Sequence, residues 1–276
     1  MNYIYFYSGN IPKYINYSVD SILKVEENPN IIFCGENKLS RSEVQNINID
    51  EINHPFLDEI RNINYFKNEK NKLWEKSFLR IFYLYIVSKK LNINKFIHFD
   101  ADVIVYKPYE ELSNLFIENK LNITPVNELF LNFSYSYIDN LKVLEEICLD
   151  LIEIIKNSNK YEEKYYKKKR LNEMIMLNIA YINKPKNFHL LDTIPKNNKQ
   201  ILFDPAGYGQ YLGGVDKKIF SRKNIDPDHY LGRELLKRGF DIRFNKGRPI
   251  VRDGNKTFEI ANLHLHKKNL EYFLPR

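Results

Sequence analysis

The stretch KFIHFDADVIVYKP, residues 95–108, constrains this chain more than any other. An apolar run leads into Asp100 and Asp102, separated only by Ala101, and apolar sequence resumes at once. Two carboxylates at the mouth of a buried strand repel each other and resist desolvation. In an extended strand, residues two apart share a face, with Cα atoms roughly 7 Å apart. The pair can therefore bracket one hard cation, and Mg²⁺ or Mn²⁺ suits oxygen ligands. Magnesium is commonly held by one or two carboxylates plus substrate phosphates. The alternative is a pair of turn aspartates on the surface, against which the flanking apolar runs argue.

The sequence around this strand predicts an α/β sandwich. YIYFY at 3–7 closes on Ser8-Gly9-Asn10 and reads as a buried strand. Residues 12–24 read as a helix with Pro12 at its start. IIFC at 31–34 closes on Gly35 as a second strand. Strand, helix, strand at this spacing opens a mostly parallel sheet flanked by helices. Residues 73–90 form a long helix that is apolar on nearly every side. A second long helix is expected over 138–157, within a helical excursion around 135–180, and EIANLHLH at 259–266 alternates like a strand. YEEKYYKKKR at 161–170 reads as a solvated helix face. No internal repeat or linker divides the 276 residues, so a single domain is expected over 1–276.

Composition narrows the function classes. A hydrophobic share of 43% suits a globular protein. Lys and Arg number 42 against 35 Asp and Glu, a balance that suits an anionic partner such as a nucleotide or a lipid head group. Nucleic-acid binding has only that net charge behind it, with no basic-aromatic motif. Cys34 and Cys148 stand far apart, which is neither a disulfide framework nor a zinc ribbon and fits a reducing cytosol. The first twenty residues lack a basic segment followed by a long apolar run, and no stretch reaches membrane-spanning length. A cytoplasmic protein is expected, with peripheral association at an anionic membrane as an option.

Two further features converge on the aspartates. Arg80 lies mid-helix among apolar residues, and a buried guanidinium needs an anion. Asp100, Asp102 or a diphosphate would serve. In NLHLHKKN, His264 and His266 alternate with Leu263 and Leu265, so both imidazoles share one face. One of them could complete a metal shell, and His266 is favoured because Lys267 follows it directly, ready for phosphate. His98 reads as a core histidine.

These residues resemble the GT-A nucleotide-sugar glycosyltransferases, distantly including the glycogenin-like enzymes. Four stretches look like a group of bacterial GT-A transferases linked to capsule and surface polysaccharide synthesis: LWEKSFLRIFYLY at 73–85, RLNEMIMLNIAY at 170–181, FDPAGYGQYLGG at 203–214 and NLHLHKKNL at 262–270. The resemblance implies a GT-A-like, Rossmann-like sandwich with a mixed, mostly parallel sheet. Its donor-binding half would cover about 1–125 and its acceptor side about 126–276. It implies transfer of a sugar from a nucleoside diphosphate sugar to a carbohydrate or lipid-linked glycan, with Mn²⁺ or Mg²⁺. Asp100, Asp102 and a late histidine (His264 or His266) would hold the metal. Arg80, Ser8, Gly9 and Lys267 would bind the donor. Glu173 would meet the acceptor hydroxyl as base or orienting group, with Asp204 a second catalytic candidate. Gly207, Gly209, Gln210, Gly213 and Gly214 would shape the sugar pocket by close backbone approach. Their spacing is not the dinucleotide fingerprint. The rivals are a nucleotidyltransferase, which usually recruits a third carboxylate, and a catalytically inactive sugar-binding module of the same fold.

Overall fold

A computed structural model describes residues 1–67, 72–166, 170–196, 200–214, 226–266 and 269–276. The first half runs β1 (Asn2–Tyr7), α1 (Ile15–Val25), β2 (Asn30–Gly35), β3 (Val44–Asn48), α2 (Pro55–Ile63), α3 (Leu73–Lys90), β4 (Phe96–Phe99), β5 (Val103–Val105), α4 (Tyr109–Leu112) and β6 (Leu121–Pro125). Then follow β7 (Leu131–Ile138), α5 (Leu141–Lys156), α6 (Ser158–Tyr166), α7 (Glu173–Asn183), β8 (Phe188–Leu190), β9 (Ile201–Leu202) and α8 (Tyr208–Tyr211). The chain closes with α9 (Tyr230–Arg238), β10 (Asp241–Asn245), β11 (Arg248–Asp253), β12 (Lys256–Ile260) and β13 (Asn262–His264).

A seven-stranded sheet in the order β3-β2-β1-β4-β7-β6-β8 forms the centre. Neighbours from β3 through β4 are parallel, as are β6 and β8, while β7 runs antiparallel to both β4 and β6. This is the mixed, mostly parallel α/β sheet expected. Strand alternation sorts the core into two layers. Tyr3, Tyr5, Ile31 and Phe33 face Ile15, Val19 and Ile22 of α1. Ile4, Phe6, Ile32 and Cys34 face the opposite layer, with Phe78, Ile81 and Phe82 of α3 and the apolar stripe of α5. α3 spans the residues expected and buries Phe78, Phe82, Leu84, Tyr85 and Val87, so it is covered on most sides.

The structure departs from expectation at three places. The segment LNFSYSYI is strand β7, buried along its whole length, where a helical excursion was expected to begin. The helix starts only at Leu141, where the Asn140 side chain accepts from the Lys142 N–H at 2.9 Å, an ordinary N-cap. The stretch 259–266 is not one strand. β12 joins a four-stranded sheet in the order β10-β11-β12-β9, and after Ala261 the chain continues as β13 against β5. Finally, the apolar run after the aspartates does not extend β4. The Val103 N–H reaches back to the Asp100 carbonyl at 3.1 Å, closing a turn that takes β5 out of the central sheet.

Candidate active site

The two aspartates lie at the carboxyl end of β4, beside β1. Chain order runs outward from β1 to β2 and β3 on one side and to β4 on the other. In open α/β sheets such a reversal leaves a crevice where ligands bind. The Asp100 N–H is anchored on the Ser134 carbonyl of β7 at 3.0 Å. It is the turn, not an extended strand, that brings the carboxylates together. β5 then pairs antiparallel with β13, with Val103 opposite His264, and the Leu265 N–H donates to the Asp102 carbonyl at 3.0 Å. This register sets the His264 Nε2 atom 3.3 Å from Asp102 Oδ1.

Asp100, Asp102 and His264 each offer a ligand atom within 4.8 Å of the others. Two carboxylates and an imidazole fit a divalent cation such as Mn²⁺. The His264 Nδ1 atom is buried without a hydrogen-bond partner, so no protein hydrogen bond at that atom fixes the ring's tautomer. Among the described residues it is His264 that lies in this cluster, and His266, the histidine favoured from the sequence, stands beside it. Its ring is perpendicular to that of His264, centroids 5.4 Å apart, and its exposed Nδ1 is 3.4 Å from Gln210 Nε2. The imidazoles do share a region, but the strand pairing gives the inner one to the aspartates. Lys267 and Lys268 lie outside the described residues. His98 is a core residue, with Nδ1 2.7 Å from the Ile4 carbonyl, and burial with the nearby Arg80 charge holds its pKa well down.

Arg80 joins the two halves of the site. One guanidinium nitrogen bonds Asp100, and the other bonds Glu173 Oε1 at 2.9 Å. The group also lies over the Phe133 ring, 5.4 Å from its centroid. Glu173 opens α7, where the Asn172 side chain caps the helix by accepting from the Ile175 N–H at 3.1 Å. Glu173 is only 2% exposed. Burial pushes its carboxyl pKa up, and the Arg80 charge and hydrogen bond pull against it. It is thus a buried, paired carboxylate and not a solvated one.

Asp204, the second catalytic candidate, is engaged by backbone N–H groups in this structure. It is 0% exposed, and its two oxygens accept backbone N–H groups from Gly207 at 2.5 Å, Tyr208 at 2.8 Å, Gly209 at 2.9 Å and His264 at 2.9 Å. Burial raises its pKa, opposed by those hydrogen bonds. With four bonds to the backbone, the carboxylate ties the 204–209 loop to β13 and so fixes His264. The glycines serve the same packing. A Cβ on Gly209 would lie 2.3 Å from the His264 carbonyl oxygen, one on Gly207 would lie 2.6 Å from a Leu231 methyl, and one on Gly214 would lie 2.5 Å from a Leu265 methyl. The close approach they permit is to this chain's own residues, whereas Gly213, at φ +92°, meets nothing within 4 Å.

Two cavities meet at the cluster. One of about 280 Å³ is lined by Tyr7, Ser8, Tyr14, Lys76, Ser77 and Arg80, together with both aspartates. The other, about 610 Å³, is largely apolar, with Trp74, Phe130, Met174 and Pro205 beside Glu173 and Gln210. His264, His266 and His229 also line it. Gly9, which follows Ser8, has φ +108°, and its N–H donates to Glu36 Oε2 at 3.0 Å, while the Ser8 hydroxyl also bonds Glu36. Sequence reasoning missed Lys76, Trp74, Phe130 and His229. For Lys76 a signal existed, since it precedes Arg80 by four residues and so shares its helix face. Phe130 and His229 carried none, because tertiary folding alone brings them to α3.

No protein-family model matches the chain, and no curated protein matches its sequence. Solved structures do match its fold. The galactosyltransferase LgtC, in complex with donor and acceptor sugar analogs, aligns over 96% of this chain and 87% of its own at TM-score 0.50 and 11% identity. Mouse xyloside xylosyltransferase 1 in its apo form aligns over 70% of this chain and 86% of its own at TM-score 0.50 and 13% identity. The chain has the GT-A-type fold of these glycosyltransferases, which agrees with the sequence resemblance.

Proposed function

We propose that this protein is a metal-dependent glycosyltransferase that moves a sugar from a nucleoside diphosphate sugar to a carbohydrate hydroxyl. The observation that carries this reading is the Asp100, Asp102 and His264 cluster at the junction of two cavities, on a fold shared with sugar-transferring enzymes. A bound Mn²⁺ or Mg²⁺ would neutralise the diphosphate leaving group. The smaller cavity, with its cations and fixed Ser8–Gly9 loop, suits the nucleotide. The larger one suits the acceptor, whose apolar sugar face can lie on Trp74 and Phe130.

Within that frame each residue has a task. Arg80 holds Asp100 in place for the metal and pairs with Glu173, opposing the effect of burial on that carboxyl. Glu173 accepts a hydrogen bond from the acceptor hydroxyl, orienting it towards the donor sugar or taking its proton. Asp204 holds His264 from behind. A third metal carboxylate of the kind nucleotidyl transfer recruits is supplied here by neither Glu173, which pairs with Arg80, nor Asp204, which is saturated by backbone. The acceptor belongs to surface polysaccharide synthesis in this reading, on the four resembling stretches. The excess of basic residues supports cytoplasmic action near an anionic membrane carrying a lipid-linked acceptor. Among the described residues no helix is long and apolar enough to cross a membrane.

The direct test is release of nucleoside diphosphate from a panel of nucleotide sugars, with Mn²⁺ or EDTA, in the presence of oligosaccharide acceptors. The expected result is metal-dependent turnover of one donor class, lost in Asp102→Ala. Turnover that survives EDTA and Asp102→Ala would overturn the metal role. Release of pyrophosphate from nucleoside triphosphates instead would turn the reading to nucleotidyl transfer.

A further inference from the structure

α3 carries two cations one helical turn apart, Lys76 and Arg80, and among the described residues only Arg80 has a carboxylate partner. Lys76 and Arg80 are spaced i, i+4 and leave the same helix face. Both line the smaller cavity with Asp100 and Asp102. Arg80 is buried and shared between Asp100 and Glu173. Lys76 has no carboxylate within ion-pair distance among the described residues. Its ammonium donates to the Ser8 carbonyl oxygen at 3.2 Å. An ammonium has three donors, and a neutral carbonyl leaves its charge uncompensated.

The loop that receives this ammonium is itself held in place. Gly9 has φ +108°, a conformation that disfavours any side chain, and a Cβ there would lie 3.6 Å from Lys76 Nζ. Glu36 fixes the loop through the Ser8 hydroxyl and the Gly9 N–H. The lysine is therefore docked on the loop after β1, in the cavity that the aspartates after β4 also line. Among the described residues Lys76 forms no ion pair with these aspartates, of which Asp100 is paired with Arg80. A dication on the carboxylates, followed by an anion reaching to the lysine, completes the charge pattern. A diphosphate has that chemistry, since one oxygen can take the metal and another the ammonium.

We infer that Lys76 binds the donor's diphosphate, taking a non-bridging phosphate oxygen on the side away from the metal; this rests on the proposed function. Negative charge grows on the diphosphate as the bond to the sugar breaks. The Lys76 contact then strengthens towards the departing group, which adds it to the groups that stabilise the transition state.

The test uses the full chain with Mn²⁺ and isothermal titration of uridine, guanosine, cytidine and adenosine diphosphates, with the matching monophosphates and nucleosides. For the nucleotide that binds, Lys76→Met should weaken the diphosphate by about 10- to 100-fold, the span of a charged hydrogen bond, and leave the nucleoside within about twofold. Lys76→Arg should restore most of the diphosphate affinity, since it keeps the charge. Thermal melts confirm that both variants fold. If Lys76→Met binds the diphosphate as the parent does, the inference is wrong while the proposed function stands. If it weakens nucleoside and diphosphate equally, Lys76 acts by holding the Ser8 loop, and the inference is again wrong. If the parent binds none of these nucleotides with Mn²⁺, the proposed function fails and takes the inference with it.

Discussion

Asp204→Asn separates a scaffold role for this carboxylate from a chemical one. The substitution keeps size and shape. One amide oxygen can still accept from Gly207 and Tyr208, whose N–H groups meet Oδ1 at 2.5 and 2.8 Å. The new NH₂ then faces the N–H groups of Gly209 and His264, which now bond Oδ2 at 2.9 Å each. Donor meets donor, so two hydrogen bonds to a charged group are lost, each contributing about 1.5–3 kcal/mol. Relief of a buried charge offsets part of that, and we expect a net loss of about 2–4 kcal/mol. For a chain of this size that lowers the melting temperature by about 5–15 °C. Because His264 hangs from the same carboxylate, the Mn²⁺ requirement should rise as well. Circular-dichroism melts and urea titration give the stability, and Mn²⁺-dependent transfer gives the second readout. A variant that melts with the parent yet loses about 10²–10⁴-fold in rate, the mark of a missing acid or base, would refute the scaffold argument and return Asp204 to the chemistry.

Other substitutions address the rest of the site. His264→Ala should raise the Mn²⁺ concentration needed for activity, whereas His266→Ala should shift it little; the reverse order in a metal titration would mean that β13 is misregistered against β5. Gly209→Ala should cost about 1–3 kcal/mol by overpacking against the His264 carbonyl, and a parent-like urea midpoint would contradict that contact. Glu173→Gln should cut turnover far more than donor affinity, and a near-normal transfer rate would remove Glu173 from the mechanism. The same variant carries a pH test. Burial raises the folded pKa of Glu173 above its unfolded value, so its stabilising share is full below the unfolded pKa and is lost as pH rises through the folded one. Gln cannot ionise, so the stability difference should move in favour of the variant between acid and neutral pH, and a constant difference in urea titrations would show no shift.

What could be read in advance was what local pattern controls. β1 and β2 are short apolar runs closed by glycine-containing turns, and α3 is an unbroken helical pattern, so their bounds came close. Arg80 was legible because a guanidinium in an apolar helix must have an anion, and it has two. Pairings distant in sequence were not legible. The choice between His264 and His266 depends on the chain leaving one sheet at Ala261 and pairing with β5, more than 150 residues earlier in the chain. Asp204 looked like a loop carboxylate open to a sugar, and only the loop's fold around it consumes both oxygens. β7 did carry a local signal that was missed: Asn132, Ser134 and Ser136 alternate with Phe133, Tyr135 and Tyr137, the period-two pattern of a strand, although both of its faces are buried.

The central claim is that the Asp100, Asp102 and His264 cluster binds a nucleotide sugar through a metal. Thermal melts of the parent and Asp102→Ala across a nucleotide-sugar panel, each with Mn²⁺ and with EDTA, test it most directly. A donor at about 100 times its dissociation constant adds about 2.7 kcal/mol to the folded state. The account predicts that one donor class raises the parent's melting temperature by about 5–10 °C with Mn²⁺ only, and that Asp102→Ala loses this shift while folding normally. An equal shift in EDTA or in Asp102→Ala, or no shift with any donor, would contradict it.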